Sequence, residues 1–415
     1  MNISWKSISK VAIAIGLIIG TVSVTAQTKK KKKAPVAKKV TTVKAVPVTN
    51  QLLNDTCLYP FFDRLENGAA EVTGILHLGD SHLQAGFLTG TLAAKLQAQF
   101  GNAGRGYVFP YTEGRTNGPD DYRWGSNTSW SAARVVERTN MFTGPGGIVL
   151  YSQQPSPDLS FSFRNSTNTF TSAELYYEGG DIPGIDKKQV QGPGRSITRG
   201  ELKFDNPVSS FNVRWSGLPD TRFYGAVLKN GQPGILYHTV GINGAMFSNY
   251  SNAGNTLELQ AEWFNPQLVI ISLGTNEAFG YMAAAQFRNE MDRAVQELRD
   301  KLPEGTAFLL TTPPSGMGKA IRTPYRKKVN GKYKTYYRSK FRTNTHVAVI
   351  RDEIIKYCKE NGLACWDFYN IMKGDARFSR GWSSDHLHFN ATGYNMEGAL
   401  LYEAIDKSFK KYHNL

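Results

Sequence analysis

A serine near one end of the chain and an aspartate–histidine pair near the other are the residues from which chemistry can first be read. Ser81 lies in Gly74 to Gly86, GILHLGDSHLQAG, where a short apolar run stops at Gly79-Asp80-Ser81-His82. The run reads as a buried strand. Gly79 permits a sharp turn at its carboxyl end, and the spacing of Leu88, Leu92 and Leu96 predicts a helix from about Leu83 to Gln99. A serine on such a turn can project its hydroxyl from the sheet edge, beside amides that favour negative charge. It can equally be a helix cap in a polar loop. The second stretch, Ser383 to Asn390, reads SSDHLHFN. Acyl transfer by serine needs a base, a carboxylate that orients the base, and donors for the oxyanion. His388 and Asp385 can supply the first two from one loop. His386 is the rival base, but it adjoins Asp385, where side chains diverge, so His388 is preferred. An Asp-His-x-His run also suits a metal. No third ligand cluster occurs elsewhere, so neither a metal nor a cofactor is expected.

The elements that would hold these residues alternate along the chain. After Ile235 to Val240 comes Gly241-Ile-Asn243-Gly244, and after Leu268 to Leu273 comes Gly274-Thr275-Asn276-Glu277. A helix with Phe287, Met291, Ala294, Val295 and Leu298 on one face follows, then a strand from Ala307 to Leu310. Next are a basic loop, a helix carrying Val347, Ile350, Ile354 and Tyr357, a strand near Ala364 to Phe368, and a last helix over about Thr392 to Phe409. Five apolar strands interleaved with helices predict a doubly wound α/β fold with a five-stranded parallel sheet, in which ligands sit beyond the carboxyl ends of the strands. Ser81, Gly244 and Asn276 would all lie there.

The texture changes between 115 and 234. Alternation appears in Leu159 to Phe163 and Val213 to Trp215, separated by Asn, Gly, Pro and Ser clusters, with no helical period. This predicts an inserted β-sandwich at 115–234 between two parts of the α/β domain at 51–114 and 235–415. Phe100 to Tyr111, FGNAGRGYVFPY, reads as a glycine-rich loop without nucleotide-binding spacing. Residues 1–26 resemble a secretory signal peptide, with Lys6 and Lys10, an apolar core from Val11 to about Val24 and the small-residue site Val24-Thr25-Ala26; an uncleaved anchor is the competing reading. Residues 27–50 read as a basic disordered linker. The net charge of +15 is concentrated in the first 50 residues: ten lysines lie there, leaving +5 for the remainder, an ordinary surface that gives nucleic-acid binding little support. No second run of membrane-spanning length follows, so an exported, periplasmic or secreted protein is expected. Three cysteines are too few for a disulfide framework; Cys358 and Cys365 either pair or remain two buried thiols.

Taken together, the motifs resemble the SGNH, or GDSL-type, hydrolases. Gly79-Asp80-Ser81-His82 is similar to the family's first block, with His where many members have Leu. Asn243-Gly244 matches the second, Gly274-Thr275-Asn276-Glu277 the third, with Glu where many have Asp, and Asp385-x-x-His388 the fourth. The resemblance implies a flavodoxin-like sheet, Ser81 as nucleophile, His388 as general base and then acid, and Asp385 as its partner. It implies an oxyanion hole made of the Ser81 amide, the Gly244 amide and the Asn276 side chain.

The expected export, the insertion and the GDSH and GTNE variants look most similar to bacterial peptidoglycan O-acetylesterases. An O-acetylated glycan is therefore the implied partner, with Trp124, Trp130, Tyr176, Tyr177, Trp215 and Tyr224 as aromatics from which one or two sugar contacts would come. Acetylated dietary or host polysaccharide is a rival substrate. An O-acetyltransferase is a rival reaction, and a non-catalytic glycan-binding envelope protein is the reading of a different class. The stretch Lys319 to Arg342, rich in Lys, Arg and Tyr, is expected as a loop near the active-site edge that either engages an anionic glycan or is simply solvated.

Overall fold

The computed structural model describes residues 48–414 apart from 69, 138, 193–194, 218, 252–259 and 262. The predicted signal peptide and most of the predicted linker lie outside the described residues. The described residues form one compact unit.

Its centre is a parallel sheet whose strands we label in chain order: β1 (Val72–Gly79), β2 (Asn102–Gly104), β3 (Gly234–Gly241), β4 (Pro266–Ser272), β5 (Ala307–Thr311) and β6 (Ala364–Trp366). They lie in the order β6-β5-β4-β1-β3-β2, and every pairing is parallel. Leaving out β2, this is the flavodoxin-like order, and it reverses direction beside β1. The sheet has six strands rather than the expected five. Residues 102–104 fall within the expected glycine-rich loop, and a strand of three residues carries no detectable period.

Strands buried on both faces need cover on both, and the helices divide accordingly. Tyr59–Asn67, Phe87–Phe100 and Ala391–His413 place Phe61, Phe62, Leu88, Leu92, Leu401 and Ala404 against Ile75, Ile235 and Ile270. Ala284–Lys301 and His346–Asn361 place Phe287, Met291, Val295, Ile350 and Ile354 on the other face, with Leu76, Val269 and Leu310. Each of the larger of these side chains contributes about 1.5–3 kcal/mol on burial.

The sequence between β2 and β3 builds two antiparallel sheets. Strands Tyr122–Gly125, Asp158–Phe163 and Ser210–Arg214 make the smaller one. The larger is built around Phe170–Glu178, Arg195–Val208 and Thr221–Lys229, and Gly106–Val108 pairs with its last strand, so the antiparallel part takes in residues ahead of 115. The two sheets meet through rings, with Trp124 against Phe223 at 5.5 Å and Phe161 against Phe170 at 5.8 Å. Trp215, Tyr176, Tyr177 and Tyr224 are no more than 1% exposed, and Trp124 and Trp130 are also buried. All six aromatics expected to include one or two sugar contacts are therefore core. The basic stretch is not a loop: Ile321–Val329 and Lys332–Lys340 form a two-stranded hairpin. All three cysteines are free thiols.

Candidate active site

Ser81 opens a single helical turn, Ser81–Gln84, directly after β1. Asp80, not Ser81, caps it: the Asp80 carboxylate accepts from the His82 amide at 2.9 Å. The cap reading of Ser81 thus gives way, and its hydroxyl is left to face the last loop. Gly79 is needed where the turn folds back, because a Cβ there would lie 2.5 Å from the Leu83 side chain and 2.8 Å from the Ser272 carbonyl. Gly86, in left-handed conformation at φ 78°, separates this turn from Phe87–Phe100, so the helix expected from Leu83 is broken.

The loop ahead of Ala391–His413 brings its histidine to that hydroxyl. Ser81 Oγ lies 2.8 Å from His388 Nε2, and His388 Nδ1 lies 2.7 Å from Asp385 Oδ2. The other carboxylate oxygen, Asp385 Oδ1, accepts from the Leu387 and His388 amides, each at 3.0 Å. Partial burial pulls the Asp385 carboxyl upward, but the His388 ring and these amides outweigh it and hold the carboxyl below the usual carboxylate range. His386 turns away, with φ 55° and its ring against Phe341.

Asn276 joins three blocks at one point. Its Nδ2 donates to the Ala245 carbonyl at 2.9 Å and lies 3.4 Å from Asp80 Oδ2. Its side chain therefore spans from the residue before Ser81 to the residue after Gly244. Gly244 is exposed with φ 83°, a left-handed conformation that leaves its amide uncovered by any side chain of its own. Together the geometry offers a hydroxyl bonded to an oriented imidazole, with an amide side chain and backbone N–H groups alongside. That is the equipment for acyl transfer.

Several supports carried no signal in the sequence. A polar chain runs beneath the site across four strands: Tyr237 Oη to His77 Nδ1 at 2.7 Å, His77 Nε2 to Ser272 Oγ at 2.7 Å, and Thr311 Oγ1 to Ser272 Oγ at 2.7 Å. Burial drives the His77 pKa down to about 3, so this link is neutral. Tyr250 donates to the Gly79 carbonyl at 2.7 Å and fixes the strand end. His82 packs its ring 5.3 Å from that of His388 and meets Tyr394 Oη at 3.1 Å. Burial, and then the proximity of His388, push the His82 pKa down to about 3, so it does not compete as a base. Asp80 is pushed up to about 7 by burial. Gln84 accepts from the Asn243 amide at 2.6 Å while donating to Thr116 and the Asn117 carbonyl, which ties the edge of the insertion to the rim of the site.

Compared with known families, residues 194–396 match the GDSL-like lipase/acylhydrolase family. That stretch is just under half of the chain, and the fold that holds it is the fold of the SGNH hydrolases, which are carboxylic ester hydrolases. The matched residues contain Gly244, Asn276, Asp385 and His388, while Ser81 lies ahead of them, on the far side of most of the insertion. Among solved structures, a peptidoglycan O-acetylesterase aligns over 85% of this chain and 96% of its own, at 20% identity and TM-score 0.66. A lipase/acylhydrolase from Enterococcus faecalis covers 42% of this chain and 77% of its own at 18% identity and TM-score 0.30. A family two carbohydrate esterase from Clostridium thermocellum, in complex with cellohexaose, covers 65% and 97% at 12% identity and TM-score 0.31. No curated protein matches the chain. No helix among the described residues is long and apolar enough to cross a membrane.

Proposed function

We propose that this protein is an exported serine esterase that removes O-acetyl groups from the wall glycan. The observation that carries the reading is the relay Ser81 Oγ, His388 Nε2 and Nδ1, Asp385 Oδ2, at 2.8 and 2.7 Å, at the carboxyl ends of parallel strands. In the reaction Ser81 attacks the acetyl carbonyl as His388 takes its proton, and Asp385 stabilises the imidazolium. The oxyanion is held by the Ser81 and Gly244 amides and the Asn276 side chain. Collapse returns the proton from His388 to the departing sugar oxygen and leaves acetyl-Ser81. Water, deprotonated by the same imidazole, then releases acetate. The carboxylate side chain is about half exposed and the imidazole about one third, at 51% and 33%. That access favours discharge to water over discharge to a second sugar. The carbohydrate reading is supported by the likeness to the peptidoglycan O-acetylesterase, which extends over 85% of the chain and so takes in both sheet types.

The test is acetate release from O-acetylated peptidoglycan and from acetylated xylan, side by side, by the purified protein and its Ser81→Ala variant. Release from peptidoglycan that vanishes in the variant is expected. Release from xylan alone would replace the wall substrate with a nutrient polysaccharide. Release undiminished by Ser81→Ala would end the serine mechanism.

A further inference from the structure

Ile321–Val329 and Lys332–Lys340 form a ribbon closed by Asn330 and Gly331, whose φ values of 51° and 77° suit a tight two-residue hairpin turn. At about 3.3 Å per residue the ribbon is roughly 30 Å long. All its strand residues are exposed except the part-buried Val329. Between Gly316 and His346 the sequence has ten Lys and Arg and no Asp or Glu. Among the described residues none of the ten forms an ion pair, whereas many other cations of the protein do. Lys327 stands directly opposite Lys334. Like charges so placed destabilise a pair of strands, and a free-standing two-stranded ribbon is marginal to begin with. Folding gives no reason for this charge; an anionic partner does.

The root of the ribbon is fixed to both sides of the site. Met317 donates to the His386 carbonyl at 2.8 Å, and Phe341 packs on the His386 ring at 4.7 Å, two residues from His388. Asn344 donates to the Ala278 carbonyl at 3.0 Å, and Lys319 lies over the Phe279 ring, on the turn that carries Asn276. Whatever the ribbon holds is thereby delivered to the mouth of the site.

We propose that the ribbon is a docking arm for the carboxylate-bearing polymer of the wall, holding it against the Ser81 site; the identity of the polymer rests on the wall-glycan reading above. The alternation of side chains decides between a polymer and a membrane. One face presents Lys327, Lys334 and Arg338 around stacked Tyr325 and Tyr336, and the other presents Arg322, Arg326 and Lys328 around Tyr333 and Tyr337. A bilayer would meet one face and call for apolar side chains there, while a strand of polymer can contact both. Arg322 and Arg338 lie over Tyr337 and Tyr325 at 5.3 and 5.8 Å, an arrangement that fixes the guanidinium planes and leaves their edges for carboxylates. The exposed tyrosines offer faces to sugar rings.

The test compares the Ser81→Ala protein with and without Arg322→Gln, Lys327→Gln, Lys328→Gln, Lys334→Gln and Arg338→Gln. Sedimentation with insoluble wall sacculi stripped of their O-acetyl groups reads the ribbon without catalysis. The five substitutions are expected to weaken binding at least about tenfold, as is raising salt to about 0.3 M on the unsubstituted ribbon. Amidating the sacculus carboxylates is expected to abolish the difference between the two proteins. With Ser81 restored, the five substitutions should lower acetate release from O-acetylated sacculi and leave small-ester hydrolysis unchanged, a result that also reports correct folding. Equal binding by both proteins, binding indifferent to amidation, or binding to phosphatidylglycerol vesicles in place of sacculi each overturns the proposal. Ribbon-dependent binding to stripped sacculi with no acetate released from O-acetylated ones would overturn the substrate reading instead and leave the docking arm standing.

Discussion

Asn276 binds the separate pieces of the site into one. Its amide has two N–H bonds; one is committed to the Ala245 carbonyl at 2.9 Å, which sets the plane of the group, and the other, held only by a long 3.4 Å contact to Asp80 Oδ2, can turn to a developing oxyanion. Removing a donor that acts chiefly in the transition state lowers kcat far more than it raises KM. For Asn276→Ala we expect kcat on a small acetyl ester to fall by roughly 10²–10³-fold with KM nearly unchanged. Steady-state kinetics check this, and a variant whose loss lay entirely in KM would show that Asn276 merely binds substrate. Ser81, Asp385 and His388 could be picked out from the sequence because each lies in a short string with its own grammar: a strand meeting a turn, or a carboxylate three residues before a histidine. The parts contributed by Asp80, His77 and Tyr394 were not readable. Each depends on what meets it from a distant element, and residue type alone does not tell a buried neutral histidine from a catalytic one.

The turn Thr275–Phe279 presents Asn276 outward and buries Glu277 inward. Glu277 Oε1 accepts from the Phe247 amide at 2.9 Å, and Oε2 has no donor among the described residues. Burial raises its pKa from 4.5 to about 7, although the Phe247 amide opposes the shift. Between these values the folded chain holds a proton that the unfolded chain has released, so stability falls as pH rises through this window and levels off above it. Glu277→Gln cannot ionise. Relative to the parent it should therefore gain up to roughly 3 kcal/mol between pH 4.5 and pH 8, whatever constant cost the new amide carries. Urea unfolding of both proteins at the two pH values measures that change, and a difference independent of pH would mean that Glu277 is not protonated in the fold. Elements with a buried face, such as β1, β4 and Ala284–Lys301, were legible because burial imposes a period on the sequence. The three-residue β2 is too short to show one. The basic ribbon has solvent on both faces, so no alternation of polarity announced it.

At the scale of the molecule, the two kinds of sheet share one core. Leu76, Val240 and Val269 of the parallel sheet and Leu175, Phe223 and Val227 of the antiparallel sheet belong to the same continuous apolar cluster. Composition separated an inserted sandwich from the hydrolase halves, but it could not reveal this sharing, because both halves of the cluster read as ordinary strand interior. The firmest contact is Tyr176, from the antiparallel sheet, stacked on Trp263 just ahead of β4 with centroids 3.7 Å apart. A cluster without a seam has no plane along which the insertion can come away, so the compact unit should unfold in a single transition. Trp263→Ala removes the ring that joins Tyr176 of the antiparallel sheet to the segment leading into β4 of the parallel one, at a cost of about 3–5 kcal/mol. Because the loss is common to both, near-UV circular dichroism, dominated by the aromatic insertion, and small-ester activity, which reports the parallel sheet, should fall together at the same lowered temperature. Two separate transitions in the parent, of which the variant moved only one, would show that the sandwich is an independent module resting on the hydrolase rather than part of its core.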